Sequence, residues 1–111
     1  MLPLDDIRII DLSRVLAGPY CTMMLADLGA EVIKVEQPGR GDESRQWGPP
    51  FAGGESAYFL SINRNKQDIT LNLQHPAGRA VLHDLVKVSD AVFNNLRGDL
   101  PAKLGLTYDA L

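Results

Sequence analysis

Apolar and polar positions along the chain switch between a period of two and a period near three and a half, and each switch marks an element. Ile7-Arg8-Ile9-Ile10-Asp11-Leu12 is short and β-branched, which predicts a buried strand. Pro19 suits the first turn of a helix, where its missing N–H would be unpaired in any case. Met23, Met24 and Leu28 then recur at helical spacing as far as Gly29, a natural residue for the position after a helix end. Glu31-Val32-Ile33-Lys34-Val35 reads as a second strand. Strand, helix and strand within about thirty residues make a βαβ unit, so the two strands are expected to run parallel.

Glu36 to Ala57 reads as a long loop rich in glycine and proline, and loops of that length in compact domains usually carry function or are disordered. A helical turn is expected between Glu55 and Ile62, a polar turn at Asn63-Arg64-Asn65-Lys66, and an alternating strand at Ile69–Leu73. Pro76 opens a helix whose inner face is Val81, Leu82, Leu85, Val86 and Val88. Ala91–Asn95 is the next strand, Leu100–Leu104 a short helix stopped by Gly105, and Thr107 the N-cap of another helix. Strands and helices alternate, which points to an α/β fold with an open, mainly parallel sheet and flanking helices. The chain ends inside that last helix, so the sheet is expected to be incomplete, the front part of a longer protein.

Composition narrows the class. At 111 residues and 45% apolar, the chain supports one hydrophobic core. A net charge of −3 argues against a nucleic-acid surface, which carries a basic excess. Cys21 is the single cysteine and no N-glycosylation sequon occurs, which fits a reducing compartment, the cytoplasm or a mitochondrial matrix. Asp5, Asp6 and Arg8 exclude a signal peptide within the first ten residues, and no apolar run is long enough to span a membrane.

The candidate chemistry is selective. Glu36, at the end of the second strand, stands where a ribose-binding acid would, but Ser13-Arg14-Val15-Leu16-Ala17-Gly18 lacks the G-x-G-x-x-G fingerprint, so a dinucleotide is not expected. Glu36 is better read as a strand end or loop cap. Arg-Gly-Asp occurs at residues 40–42 and 97–99, in both cases as coincidence in a chain of this compartment. His75 and His83 have no metal-ligand spacing, so no metal site is expected. Cys21 and the two methionines read as packing residues. Arg14, Arg64, Lys66, Arg97 and Lys103 fall at or beyond strand ends, where open parallel sheets bind ligands, and as a set suggest a site for a phosphorylated anion.

These blocks together carry a resemblance. Asp11 through Gly39, Gly41-Asp42, Arg45, Trp47-Gly48-Pro49-Pro50 and Asn63-Arg64-Asn65-Lys66 resemble the class III CoA-transferases. Asn95-Leu96-Arg97 followed by Leu104-Gly105-Leu106 is similar to a further segment of that family. The resemblance implies that residues 1–111 are the N-terminal part of a Rossmann-like, CoA-binding large domain, in a family of interlaced dimers. It implies acyl-CoA and carboxylic acids as substrates, no permanently bound cofactor, and an aspartate nucleophile that forms a mixed anhydride and then an enzyme thioester. That nucleophile lies C-terminal to the segment, so no catalytic residue is expected in this chain, and the chain by itself is expected to be inactive and to form a homodimer or higher oligomer. Trp47–Phe51 and Asn63–Lys66 look most like the succinyl-CoA:dicarboxylate branch. A racemase acting α to a thioester carbonyl, and a non-catalytic CoA-binding or self-associating module, remain open as alternatives.

The resemblance also implies CoA-binding positions. Arg14, Leu16 and Ala17 match positions near the pantetheine and thiol end. Gln37 stands for an arginine near the nucleotide, Leu71 keeps an apolar adenine-pocket position, and Gln74 replaces a lysine. Asn95 is retained, Leu96 replaces an aromatic residue, Arg97 follows, and Lys103 stands for an arginine near the phosphates, keeping charge but losing the planar fork. Gly98-Asp99 replaces a Pro-Gly pair and adds a negative charge there.

Overall fold

Two faces of one small sheet divide the molecule, and the alternation along each strand decides what lies on each. A computed structural model describes all 111 residues. The elements are β1 (Arg8–Asp11), α1 (Ala17–Asp27), β2 (Glu31–Glu36), β3 (Phe51–Ala52), β4 (Glu55–Ser56), α2 (Ala57–Ser61), β5 (Lys66–Thr70), α3 (Pro76–Lys87), β6 (Ala91–Phe93) and α4 (Leu100–Lys103). β5, β2, β1 and β6 form one parallel sheet in that order, while β3 and β4 make a separate antiparallel hairpin. The fold is α/β with a mainly parallel sheet and flanking helices. No helix is long and apolar enough to cross a membrane.

One face carries Ile9 and Val32, which pack with Ala26 of α1 and with Ala30. The opposite face carries Ile10, Leu12 and Val35, which pack against Leu82 of α3 and against Leu106. Gly29 ends the first crossover with φ +107°, a left-handed conformation that glycine adopts without a Cβ penalty, and its N–H donates to Ala26 O at 3.0 Å. α3 opens on Pro76, with His75 as its N-cap: Nδ1 accepts from Ala77 N at 3.0 Å.

Several expectations change. The third strand of the sheet runs over Lys66–Thr70, three residues earlier than the alternation of Ile69–Leu73 suggests, because it pairs from Lys66 opposite Val32. Leu71 and Leu73 then follow the strand and pack beneath α3's face of the sheet. The loop from Glu36 to Ala57 is not structureless: it holds a 3₁₀ turn at Glu43–Gln46 and the β3–β4 hairpin. Of the expected inner face of α3, Leu82 is buried and Leu85 and Val86 partly so, but Val81 and Val88 face solvent. Thr107–Leu111 is a turn rather than a helix start, with Ala110 N and Leu111 N both donating to Thr107 O.

Candidate functional site

Loops leaving all the strands of the parallel sheet converge at its carboxyl edge. In their own chain order the strands lie third, second, first, fourth, so the direction of winding reverses between β1 and β6. Loops leaving neighbouring strands on either side of such a reversal diverge and open a crevice, the usual ligand position in sheets of this kind. A cavity of about 320 Å³ lies there. Its walls come from the exits of β1 (Leu12, Ser13, Arg14), β2 (Glu36, Gln37, Pro38) and β5 (Leu71 to Gln74), and from the segment after β6 (Leu96, Leu100, Leu104, Leu106). The leucines form an apolar wall continuous with the α3-side core.

A charge lattice lies on the α1 face of the sheet, buried apart from Asp68, and of its members only Lys34 and Glu36 also line the cavity, together with Asp42. Alternation puts Asp11 on β1, Lys34 and Glu36 on β2, and Lys66 and Asp68 on β5 on that face. Asp11 Oδ1 accepts from Ser13 N at 2.9 Å and from Ser13 Oγ, and Oδ2 accepts from Thr22 Oγ1 at 2.6 Å and Lys66 Nζ at 3.1 Å. Lys34 Nζ donates to Ser13 O at 3.0 Å and pairs with Asp42 Oδ2 at 2.9 Å, both side chains being almost wholly buried. Every buried side-chain polar atom has a partner. This completeness matters, because a half-satisfied buried network is worse than an apolar core.

The environment shifts these groups in opposite senses. Burial raises the Asp42 carboxyl, but the Ser44 N–H and the Lys34 ammonium outweigh it and leave the group below the usual aspartate range. Burial pulls the Lys66 ammonium down, against the attraction of Asp11. Further along β2, burial likewise raises Glu36, but Arg45 forks onto it with two contacts of 2.7 Å, Asp42 N–H adds another, and its carboxyl sits at about 2. Asp68 shares the same guanidinium at 2.7 Å, and burial together with the Glu36 charge pushes it up to about 7.

The expected site residues divide evenly. Arg14, Gln37, Leu71, Gln74 and Leu96 line the cavity. Leu16 and Ala17 begin α1 and are exposed outside the cavity lining. Asn95 also lies outside that lining; its side-chain amide spans Arg14, with Oδ1 accepting from Arg14 N at 2.9 Å and Nδ2 donating to Arg14 O at 2.8 Å. Arg97 is exposed, and Lys103 makes an exposed ion pair with Asp99 at 3.2 Å. The basic set does not converge. Arg64 pairs with Asp27 at 2.7 Å beside the end of α1, and Lys66 is buried against Asp11 at the start of β5, so neither reaches the carboxyl edge as a free cation. No group of His, Cys, Asp and Glu has metal-holding geometry.

Sequence reasoning missed Lys34, Asp42 and Asp11, and a signal was present for Lys34 alone. Lys34-Val35-Glu36 and Lys66-Gln67-Asp68 repeat the spacing charge, other residue, charge, which within strands places both charges on one face.

The chain matches the description CoA-transferase family III over residues 4–111. It belongs to that family. It is 55% identical over 108 residues to the succinyl-CoA:glutarate CoA-transferase of Homo sapiens, covering 96% of this chain and 24% of that protein. It is 50% identical over 115 residues to the succinate–glutarate CoA-transferase of Agrobacterium fabrum, covering 98% of this chain and 29% of that one. A CaiB/BaiF family protein from Brucella suis superposes with a TM-score of 0.90 at 42% identity, over 98% of this chain and 30% of that structure. This family III chain thus spans about a quarter of the length of the curated relatives it matches.

Proposed function

We propose that residues 1–111 form one wall of the acyl-CoA site of a CoA-transferase that moves CoA between an acyl-CoA and a carboxylic acid, in particular a dicarboxylic acid. The observation that carries this reading is the cavity at the winding reversal, in a chain 55% identical to a succinyl-CoA:glutarate CoA-transferase. Its leucine wall suits an adenine ring or a pantetheine arm, and Gln37, Asn72 and Gln74 provide amide groups at the rim. Its volume, at the low end of the range of about 300–1,000 Å³ for ligand pockets, suits one part of a CoA molecule rather than all of it. By this reading the described residues are the N-terminal part of a larger CoA-binding domain.

The reaction we assign to the whole enzyme is covalent. An aspartate carboxylate attacks the thioester carbonyl, the C–S bond breaks, and CoA leaves as the thiolate with a mixed anhydride behind it. The thiolate then attacks the aspartyl carbonyl and expels the first acid as its carboxylate. The incoming carboxylate reverses these steps on the enzyme thioester. The nucleophile is assigned outside residues 1–111. Asp42, the aspartate that lines the cavity, has its carboxylate held by Lys34, Ser44 and Val15 N–H, which leaves no oxygen aimed at a substrate.

Self-association has its own support. Leu16, Tyr20, Met24 and Leu28 are all exposed and fall four residues apart, an apolar stripe along the outside of α1. The stripe fits a second copy of the chain as its partner, and a strictly monomeric mass by light scattering at high concentration removes that assignment.

Isothermal titration of the chain with CoA tests the site directly, with saturable heat expected and no heat at millimolar CoA sinking the proposal. Transfer of CoA from succinyl-CoA to glutarate by the 111-residue chain alone would overturn the placement of the nucleophile.

A further inference from the structure

The cavity is lined by four charged side chains, and three of them are already neutralised. Lys34 and Asp42 pair with each other at 2.9 Å in a fully buried contact, and Glu36 is held by Arg45. The fourth is Arg14. Its guanidinium meets only Glu43, at 3.2 Å, and both side chains are more than a third exposed. An exposed pair of this kind adds little to stability, so a ligand can displace Glu43 readily.

The backbone beneath this exposed fork is pinned on every side. Asn95 holds both the N–H and the carbonyl of Arg14. Lys34 and Asp11 fix Ser13, the residue before it. Val15, the residue after it, has φ +75°, a left-handed conformation that is rare for a β-branched residue, and its N–H points at the Asp42 carboxylate at 3.3 Å. Strain of this sort persists only where surrounding contacts over-determine it, and it gathers at binding and catalytic sites. Here it sets the direction in which the chain leaves Arg14. The Arg14–Asn95 contact also bridges the exits of β1 and β6, the two strands between which the winding reverses.

Resting on the acyl-CoA reading above, we propose that Arg14 is the anion-recognition residue of this cavity. Its fork binds an anionic oxygen pair of the ligand, with Glu43 as the resting counter-ion that gives way. A planar guanidinium matches two coplanar oxygens, whether of a carboxylate or of a phosphate. Both occur in the substrates assigned here. CoA carries phosphates, and a dicarboxylic acid keeps one carboxylate free when the other becomes the thioester.

Titration of the chain and of its Arg14→Gln variant with CoA, acetyl-CoA and succinyl-CoA separates the two sources. If the fork holds the free carboxylate, Arg14→Gln weakens succinyl-CoA by about tenfold or more and leaves CoA and acetyl-CoA within about twofold. If it holds a phosphate, all three weaken together by a similar factor. Glu43→Gln is expected to tighten the affected ligand by a few fold, since the competitor is gone, and Arg14→Lys is expected to fall between wild type and Arg14→Gln. Wild-type binding of CoA with Arg14→Gln unchanged for all three ligands overturns the inference and leaves the acyl-CoA reading standing. A wild-type chain that binds none of the three sinks both.

Discussion

Lys34 shows what a single residue contributes to the site. It is the largest fully buried side chain in the molecule, and it ties the β1 exit to the segment after β2 through Ser13 O and Asp42. Removing one partner of such a pair strands a buried charge. Lys34→Met is therefore expected to lower stability by about 3–5 kcal/mol in urea unfolding, while Lys34→Met combined with Asp42→Asn recovers much of the loss. The introduced amide oxygen can still accept from Ser44 and Val15, so recovery isolates the uncompensated charge. Asn95 acts through the same loop. Asn95→Ala leaves both polar groups of Arg14 without their partner, each worth about 1 kcal/mol, and a stability loss of at most about 2 kcal/mol is expected by the same assay.

At the scale of elements, the cavity wall depends on how closely helix starts approach strand exits. A Cβ built on Gly78, in the first turn of α3, collides with Asn72 O, a backbone atom of the loop that lines the cavity. Gly78→Ala must therefore push α3 and the Leu71–Gln74 segment apart. Overpacking of this kind typically destabilises by about 1–3 kcal/mol. The variant is expected to lower the thermal midpoint and to weaken CoA binding as well, because the displaced loop is part of the wall. A normal midpoint would show that the helix pivots freely.

Across the whole molecule, the Glu36–Arg45–Asp68 cluster couples fold stability to pH, since it joins β2, the 3₁₀ turn and β5. Glu36, held at about 2 against an ordinary 4.5, binds its proton more weakly in the folded state, so stability rises with pH from about 2 to 4.5. Asp68, held at about 7 against 3.8, binds its proton more tightly when folded, so its contribution is fully present below about 3.8 and is lost as pH rises towards 7. The wild-type midpoint is expected to fall between pH 4 and pH 7, and Asp68→Asn is expected to flatten that limb. Parallel curves for the two proteins would exclude Asp68 as its source.

The sequence by itself determined the βαβ start and the α/β class, because β-branched runs, the Pro19 opening and the Gly29 turn act over a few residues, whereas the family was legible only through the resemblance of several blocks along the chain. It also placed Arg14, Gln37, Leu71, Gln74 and Leu96 among the candidate residues, through a resemblance spread along the chain. It misplaced β5 by three residues, since the alternation of Ile69, Leu71 and Leu73 continues past the last paired residue, and strand ends are set by the partner strand. Tertiary structure alone decided which charges are free. Arg14, Arg64 and Lys66 are equivalent in a list of basic residues, yet Asp27 and Asp11 consume two of them across 37 and 55 positions of sequence. Ion pairing between distant residues follows from the winding of the sheet, and that winding leaves Arg14 at the cavity with only the exposed Glu43 as its partner.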